Sequence, residues 1–164
     1  MIIYEDILKE FQKEKVKYVL VGGIAVNLHG AFRTTADLDI LVEMSDKNLR
    51  CVVQILKKKG YRVRQPVDPK GIAVRKTRED WIQNKHMKAF NFYRGNLKEV
   101  DLIIISPVSY KAAKNQVVRI KVGKLALPVM SINQLIKMKK AAGRMIDEYD
   151  ICQLKEIKGL RRTK

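Results

Sequence analysis

The sequence predicts an α/β fold, a mixed β-sheet flanked by helices and closed by C-terminal helices, in a single domain of 164 residues. Three observations predict it. Strand-like apolar runs are interspersed with stretches of helical periodicity, two pairs of runs are joined at glycines suited to hairpin turns, and the chain closes on a long helical pattern. A chain of this length builds one core and buries about two-thirds of the surface its unfolded form exposes.

Taken in order, Ile3, Ile7, Leu8 and Phe11 recur at spacings of three and four and predict a short amphipathic helix. "KYVLVGG" predicts a brief strand ending at Gly22 and Gly23, and "IAVNLHG" a helix stopped by Gly30. "DLDILVE" is the second strand. "SDKNLRCVVQILKKKG" predicts a helix capped by Ser45 or Asp46 and ended by Gly60, and "YRVR" a short strand. Residues 65–85, with Pro66, Pro69, Gly71 and clustered charge, predict a loop with short ordered pieces. "KAFNFYRG" and "KEVDLIII" predict a hairpin turning at Gly95 and Asn96, and "VVRIKVGKLALPVM" a second pair turning at Gly123. A helical segment over about 131–158, capped by Ser131 and interrupted at Gly143, precedes a basic, mobile tail at 159–164.

Composition narrows the function classes. Apolar residues make up 46% and charged residues 31%, and no apolar run approaches the roughly 20 residues a membrane span needs. Acidic residues within the apolar pattern of "MIIYEDILKEFQKEK" fit neither a secretory leader nor a transit peptide, so a cytoplasmic, membrane-free protein is expected. Cys51 and Cys152 lack close-spaced Cys or His partners, which predicts buried thiols rather than a zinc site or a disulfide. The 34 Lys and Arg against 17 Asp and Glu leave +17, with a pI near 10.0, so polyanions are the expected partners. Scattered solvated lysines are the competing reading.

Within "GAFRTTADLDILVE", Asp37 and Asp39 stand one residue apart and share one face of a strand. Such a pair repels and raises its own pKa values unless a cation sits between the two carboxylates, and a divalent metal is the obvious cation. Gly22 and Gly23, at a strand-to-helix junction, let a phosphate approach backbone N–H groups; a tight turn needing positive φ is the alternative. Asp101 interrupts the apolar run of "EVDLIII" on a strand expected beside the first pair, where a strand-entry residue is the alternative. Together the three acids match two-metal phosphoryl or nucleotidyl transfer, with Asp37 and Asp39 bridging the ions and Asp101 holding one of them and accepting the proton of the attacking hydroxyl. Two Mg²⁺ ions suit these oxygen donors, with Mn²⁺ as the alternative.

The segment "VGGIAVNLHGAFRTTADLDILV" resembles the signature of the polymerase-β-like nucleotidyltransferase superfamily, a glycine pair followed by an acid-x-acid strand. Its "HG…R.T.DLDI" details are similar to the abortive-infection toxin branch (AbiEii/AbiGii-type) of small nucleotidyltransferases. "VDLII" matches the third acidic position and "LIKMKKAAGRMIDEYDI" the C-terminal helical motif. The resemblance implies a nucleotidyltransferase fold and places Lys139 near the triphosphate, followed by Arg144, Asp147 and Asp150, for which solvated local ion pairing is an equal alternative. Gly23 stands where many members carry a phosphate-binding serine, which leaves backbone N–H groups for that contact. Arg33 is a second candidate for the triphosphate, with an ion pair to Glu43 or Asp37 as the competing reading.

His29 reads as a buried or capping residue, His86 carries less signal, and the alternation of Phe90 and Phe92 predicts a core-facing strand; Trp81 and Tyr93 carry no binding assignment. The expectation is therefore a metal-dependent nucleotidyltransferase that moves a nucleoside monophosphate from an NTP, such as ATP, to a hydroxyl and releases pyrophosphate. RNA, notably the tRNA 3′ end, is the acceptor that charge and resemblance favour, in a toxin paired with an antitoxin protein. A protein hydroxyl or a small molecule such as an aminoglycoside is the alternative. The contrasting reading is a non-catalytic nucleotidyltransferase-like module that binds RNA or protein, against which the retention of three acids argues.

Overall fold

The structure is a computed structural model that describes residues 3–162. Among them the order is α1 (Glu5–Lys13), β1 (Tyr18–Leu20), α2 (Gly22–Leu28), β2 (Leu38–Val42), α3 (Asp46–Lys58), β3 (Arg62–Val63), a 3₁₀ turn (Pro69–Ala73), α4 (Arg75–Asn84), β4 (Ala89–Arg94), β5 (Lys98–Ile103), α5 (Tyr110–Asn115), β6 (Val118–Val122), β7 (Leu125–Val129), α6 (Ile132–Ala142) and α7 (Met145–Arg162). The strands form one mixed sheet in the order β3-β4-β5-β2-β1-β7-β6. The β2–β5 and β1–β7 pairs are parallel and the other four antiparallel.

Register explains the core. Phe90, Leu102, Ile40, Leu20 and Val129 are successive partners across five strands, and all five are fully buried. Because partners on neighbouring strands point to the same side, this row forms a continuous apolar stripe, and the adjacent row points the other way. α1 packs on α3 and on β7, turning Ile7, Leu8 and Phe11 inward. Both predicted hairpins form, with Gly95 (φ +62°) and Gly123 (φ +59°) at the turns. Ser45 caps α3 by accepting from Asn48 N–H.

Four expectations change, and one helix forms that was not expected. Residues 65–85 hold the 3₁₀ turn and the ten-residue α4 rather than a loop with short pieces. The stretch is polar enough to hide its periodicity, and tertiary contacts hold it: buried Arg78 donates to the carbonyls of Ile72 (2.6 Å) and Met44 (2.9 Å), and Trp81 stacks on Phe90 with centroids 5.5 Å apart. The short helix α5, capped by Ser109, has no counterpart in the sequence reading. α7 runs through residues 159–162, so that part of the expected mobile tail is helical, while residues 163–164 lie outside the described residues. Cys51 is half-buried and Cys152 exposed, because Cys152 lies on the outer side of α7. Ser131 occupies the N-cap position of α6, yet its hydroxyl makes no cap bond and is buried without a partner. Among the described residues no helix is long and apolar enough to cross a membrane.

Candidate active site

Asp39 on β2 and Asp101 on β5 are direct register partners in a parallel pair, and Asp101 is in turn the partner of Asn91 on β4. A polar row therefore crosses three adjacent strands, one step from the apolar stripe. Asp37 stands exposed one residue before β2, so the backbone places it at the mouth of the same row rather than within the strand.

Amide groups orient Asp101. Asn91 Nδ2 donates to Asp101 Oδ1 at 2.7 Å, and Gln65 fixes Asn91 by donating to its Oδ1 (2.6 Å) and accepting from its backbone N–H (3.2 Å). Tyr4 fastens the backbone beside the acids: its buried hydroxyl donates to the Ala36 carbonyl, next to Asp37, and accepts from Glu99 N–H at 3.0 Å, two residues before Asp101. Gln65, Asn91 and Tyr4 were absent from the sequence reading. The Asn91–Asp101 pairing follows from hairpin register, so that signal was present, whereas Tyr4 reads as one more core residue of an amphipathic helix.

Gly22 has φ +65°, and a Cβ there would lie 1.8 Å from Asp39 Oδ2; a Cβ on Gly23 would lie 2.6 Å from Thr35 Oγ1. Glycine is required at position 22 on both grounds, since an L side chain resists that φ and the Asp39 carboxylate fills the space. The glycine pair thus lies directly against the acidic strand.

Burial pushes the Asp39 carboxyl up to about 6, with Asp101 and then Asp37 adding to the rise and Lys139 and Arg144 opposing it. Asp101 is also raised, first by burial and further by Asp37, against the Asn91 hydrogen bond and Arg64. Crowded carboxylates pushed upward in this way are what a cation would relieve. Among the described residues no group of three His, Cys, Asp or Glu side chains is gathered tightly enough to hold an ion by itself. Mg²⁺, however, commonly binds through one or two carboxylates and completes its shell with water and substrate phosphates, and the Asp39–Asp101 pair with Asp37 at its mouth fits that demand.

Beside the acids lies a buried ion cluster. Lys139, 4% exposed, places Nζ 2.9 Å from Asp147 Oδ1 and 2.7 Å from Asp150 Oδ2. Arg144 grips Asp147 with Nε (2.7 Å) and Nη2 (3.1 Å), and Arg33 pairs with Asp150. Burial alone would raise Asp147, but hydrogen bonds from Arg144 and Lys139 outweigh it and hold the carboxyl at about 2. Three cations over two carboxylates leave one positive charge facing Asp39. The cluster bridges α6, α7 and the loop before β2, with Gly143 in the left-handed region between the two helices. Arg33 therefore pairs with Asp150, not with Glu43 or Asp37, and the Lys139 amine is held by Asp147 and Asp150. Arg144, its side chain 64% exposed, is the cation of the three most open to a ligand. His29 is buried at the end of α2 and meets the Met130 carbonyl at 2.7 Å, as the buried reading expects, and its side chain does not cap the helix.

The family model for aminoglycoside-2''-adenylyltransferase matches residues 4–157. The chain belongs to the aminoglycoside-2''-adenylyltransferase family. It is accordingly a nucleotidyltransferase, an enzyme that transfers a nucleoside monophosphate from an NTP and releases pyrophosphate. Adenylyltransferases of this family use divalent metal ions, typically Mg²⁺. Among solved structures, the lincosamide adenylyltransferase LnuA bound to lincomycin is 20% identical with a TM-score of 0.63, over 92% of this chain and 93% of that one. ANT(2'')-Ia in complex with adenylyl-2''-tobramycin is 12% identical with a TM-score of 0.61, over 98% and 94%. A nucleotidyltransferase-like protein from Thermotoga maritima is 12% identical with a TM-score of 0.54, over 98% and 89%. At these identities the structural likeness concerns the fold, which is that of the nucleotidyltransferases. No curated protein sequence matches significantly. The superfamily resemblance read from the glycine pair and the acid-x-acid strand holds; these matches add nothing for the toxin branch.

Proposed function

We propose that this adenylyltransferase-family enzyme moves AMP from ATP to a hydroxyl of a small, antibiotic-like acceptor. The observation that carries the chemistry is the Asn91–Asp101–Asp39 row: an oriented carboxylate whose pKa is raised, beside a second one packed on the glycine pair. Asp37, Asp39 and Asp101 would hold Mg²⁺, which when bound supplies charge neutralisation for the triphosphate and acidifies the attacking hydroxyl. The acceptor oxygen forms a bond to the α-phosphorus as the bond to the bridging oxygen breaks. Asp101 takes the hydroxyl proton, held in line by Asn91, and pyrophosphate leaves with the bond electrons. Gly22 and Gly23 keep the backbone close to the phosphates, and Arg144, backed by Lys139 and Arg33, faces the departing charge.

The charges that act on the acids are Arg64, Lys139 and Arg144, and both buried aspartates beside them are already neutralised. This favours an acceptor with few amines, of the lincosamide kind, over a polyamine. The net charge of +17 favours a second reading in which the acceptor is an RNA 3′ end. Incubating the protein and Mg²⁺ with α-labelled ATP and, separately, lincomycin, tobramycin and total RNA tests both. Label in lincomycin supports the proposal, label in RNA selects the second reading, and label in none of them with ATP left intact defeats both.

A further inference from the structure

A cavity of about 280 Å³ opens at the end of β1 opposite Gly22, between the α1–β1 connection, α5 and the β6–β7 hairpin. Cations reach it from separate elements: Lys15 and Lys17 from the connection, Lys114 from α5 and Arg119 from β6, and among the described residues no acidic side chain lines it. Lys17 pairs with Glu43 at 3.0 Å, whereas the side chains of Lys15, Lys114 and Arg119 make no hydrogen bond or ion pair among the described residues. Tyr18 also lines the cavity. It is 6% exposed, its ring packs edge-on against Phe11 with centroids 5.2 Å apart, and its hydroxyl has no hydrogen-bond partner among the described residues. Arg119 stands close enough to act electrostatically on that hydroxyl and on Tyr110.

A phenol hydroxyl with no protein acceptor, at a cavity lined by four cations and by no carboxylate among the described residues, is placed to donate to a bound anion. We propose that this cavity is a second binding site, separate from the acidic row, that takes a phosphomonoester of a small molecule. Phosphate oxygens would accept from Tyr18 and be gripped by Arg119 and Lys114, since a charge-assisted bond to a guanidinium is among the strongest polar contacts available. The cavity lies at the lower edge of the range for small-ligand sites, which suits a sugar phosphate better than a nucleoside triphosphate. None of these residues takes part in the transfer chemistry, so the site does not depend on which acceptor the enzyme uses.

The test is titration of the full chain with inorganic phosphate and with ribose 5-phosphate at constant ionic strength, followed by backbone amide NMR. Shifts centred on residues 15–19 and 110–119 are expected, with ribose 5-phosphate the tighter of the two. Replacing both Lys114 and Arg119 by Ser should weaken it at least about tenfold, and Tyr18→Phe about threefold or more, as loss of charge-assisted and neutral hydrogen bonds predicts. The doubly substituted control Lys57→Ser, Lys58→Ser, which removes the same charge from α3, should leave affinity unchanged. Equal weakening in that control means diffuse attraction to a basic surface and overturns the site, as does the absence of saturable binding at millimolar ligand. Binding of inorganic phosphate as tightly as ribose 5-phosphate overturns the assignment to a phosphomonoester.

Discussion

Replacing Asp39 by Asn should stabilise the metal-free protein and abolish its activity. In the folded state the Asp39 carboxyl sits at about 6 against an ordinary value of 3.8, chiefly through burial and the nearby Asp101 and Asp37. A carboxyl raised by folding binds its proton more tightly in the folded chain than in the unfolded one. Its stabilising contribution is complete below 3.8, fades as pH rises through about 6, and is gone above that. At 1.36 kcal/mol per pH unit, the cost of carrying the ionised group at neutral pH is about 3 kcal/mol at most, and solvent screening of a half-buried group reduces it to between about 1 and 3 kcal/mol. Asn keeps the volume beside Gly22 and removes the charge. Urea unfolding of both proteins with chelator present, at pH 4 and pH 7.5, measures the effect: the wild type should lose stability toward pH 7.5 relative to the variant, and Mg²⁺ with ATP should restore more stability to the wild type. Transfer activity of the variant should fall by at least about a thousandfold, since the neutral amide replaces an anionic ligand and its charge. A variant less stable than wild type at pH 7.5, or one that still transfers at a comparable rate, would refute the reasoning.

Gly22→Ala should cost about 1–2 kcal/mol from its φ of +65° and reduce turnover about 100-fold, because a Cβ 1.8 Å from Asp39 Oδ2 must displace that carboxylate; a kinetic comparison at saturating ATP checks it. Lys139→Met leaves Asp147 and Asp150 buried with only Arg144 and Arg33 for charge, so unfolding free energy should fall by about 3–5 kcal/mol, and a loss under about 1 kcal/mol would show that the cluster does not hold α6 to α7. Asn48→Ala removes a side chain that accepts from Lys17 N–H and donates to the carbonyls of Lys17 and Glu43, tying β1 to β2; thermal unfolding should report a loss of about 2–3 kcal/mol with the ATP KM little changed.

Local pattern and turn chemistry determined much of the chain from sequence alone. The period-2 runs, the turn glycines at 95 and 123, the Ser45 cap and the Gly143 break each depend on residues within a few positions, and each forms where the sequence places it. The glycine pair and the acid-x-acid strand were legible for the same reason, since a tight junction and a repelling carboxylate pair are local oddities that chemistry alone explains. Tertiary structure decided which partners those groups meet. Hairpin register sets Asn91 against Asp101, but nothing local places Gln65 on Asn91, or Arg33 on Asp150 more than a hundred residues away. Helix α4 likewise exists because Arg78 and Trp81 find carbonyls and an aromatic ring outside their own segment. Lys139 shows the division most clearly: the family resemblance places it near a triphosphate, and the fold buries its amine between two carboxylates. A charge taken from water must find its counter-charge in the folded chain, and only the packing of α7 on α6 sets Asp147 and Asp150 within reach.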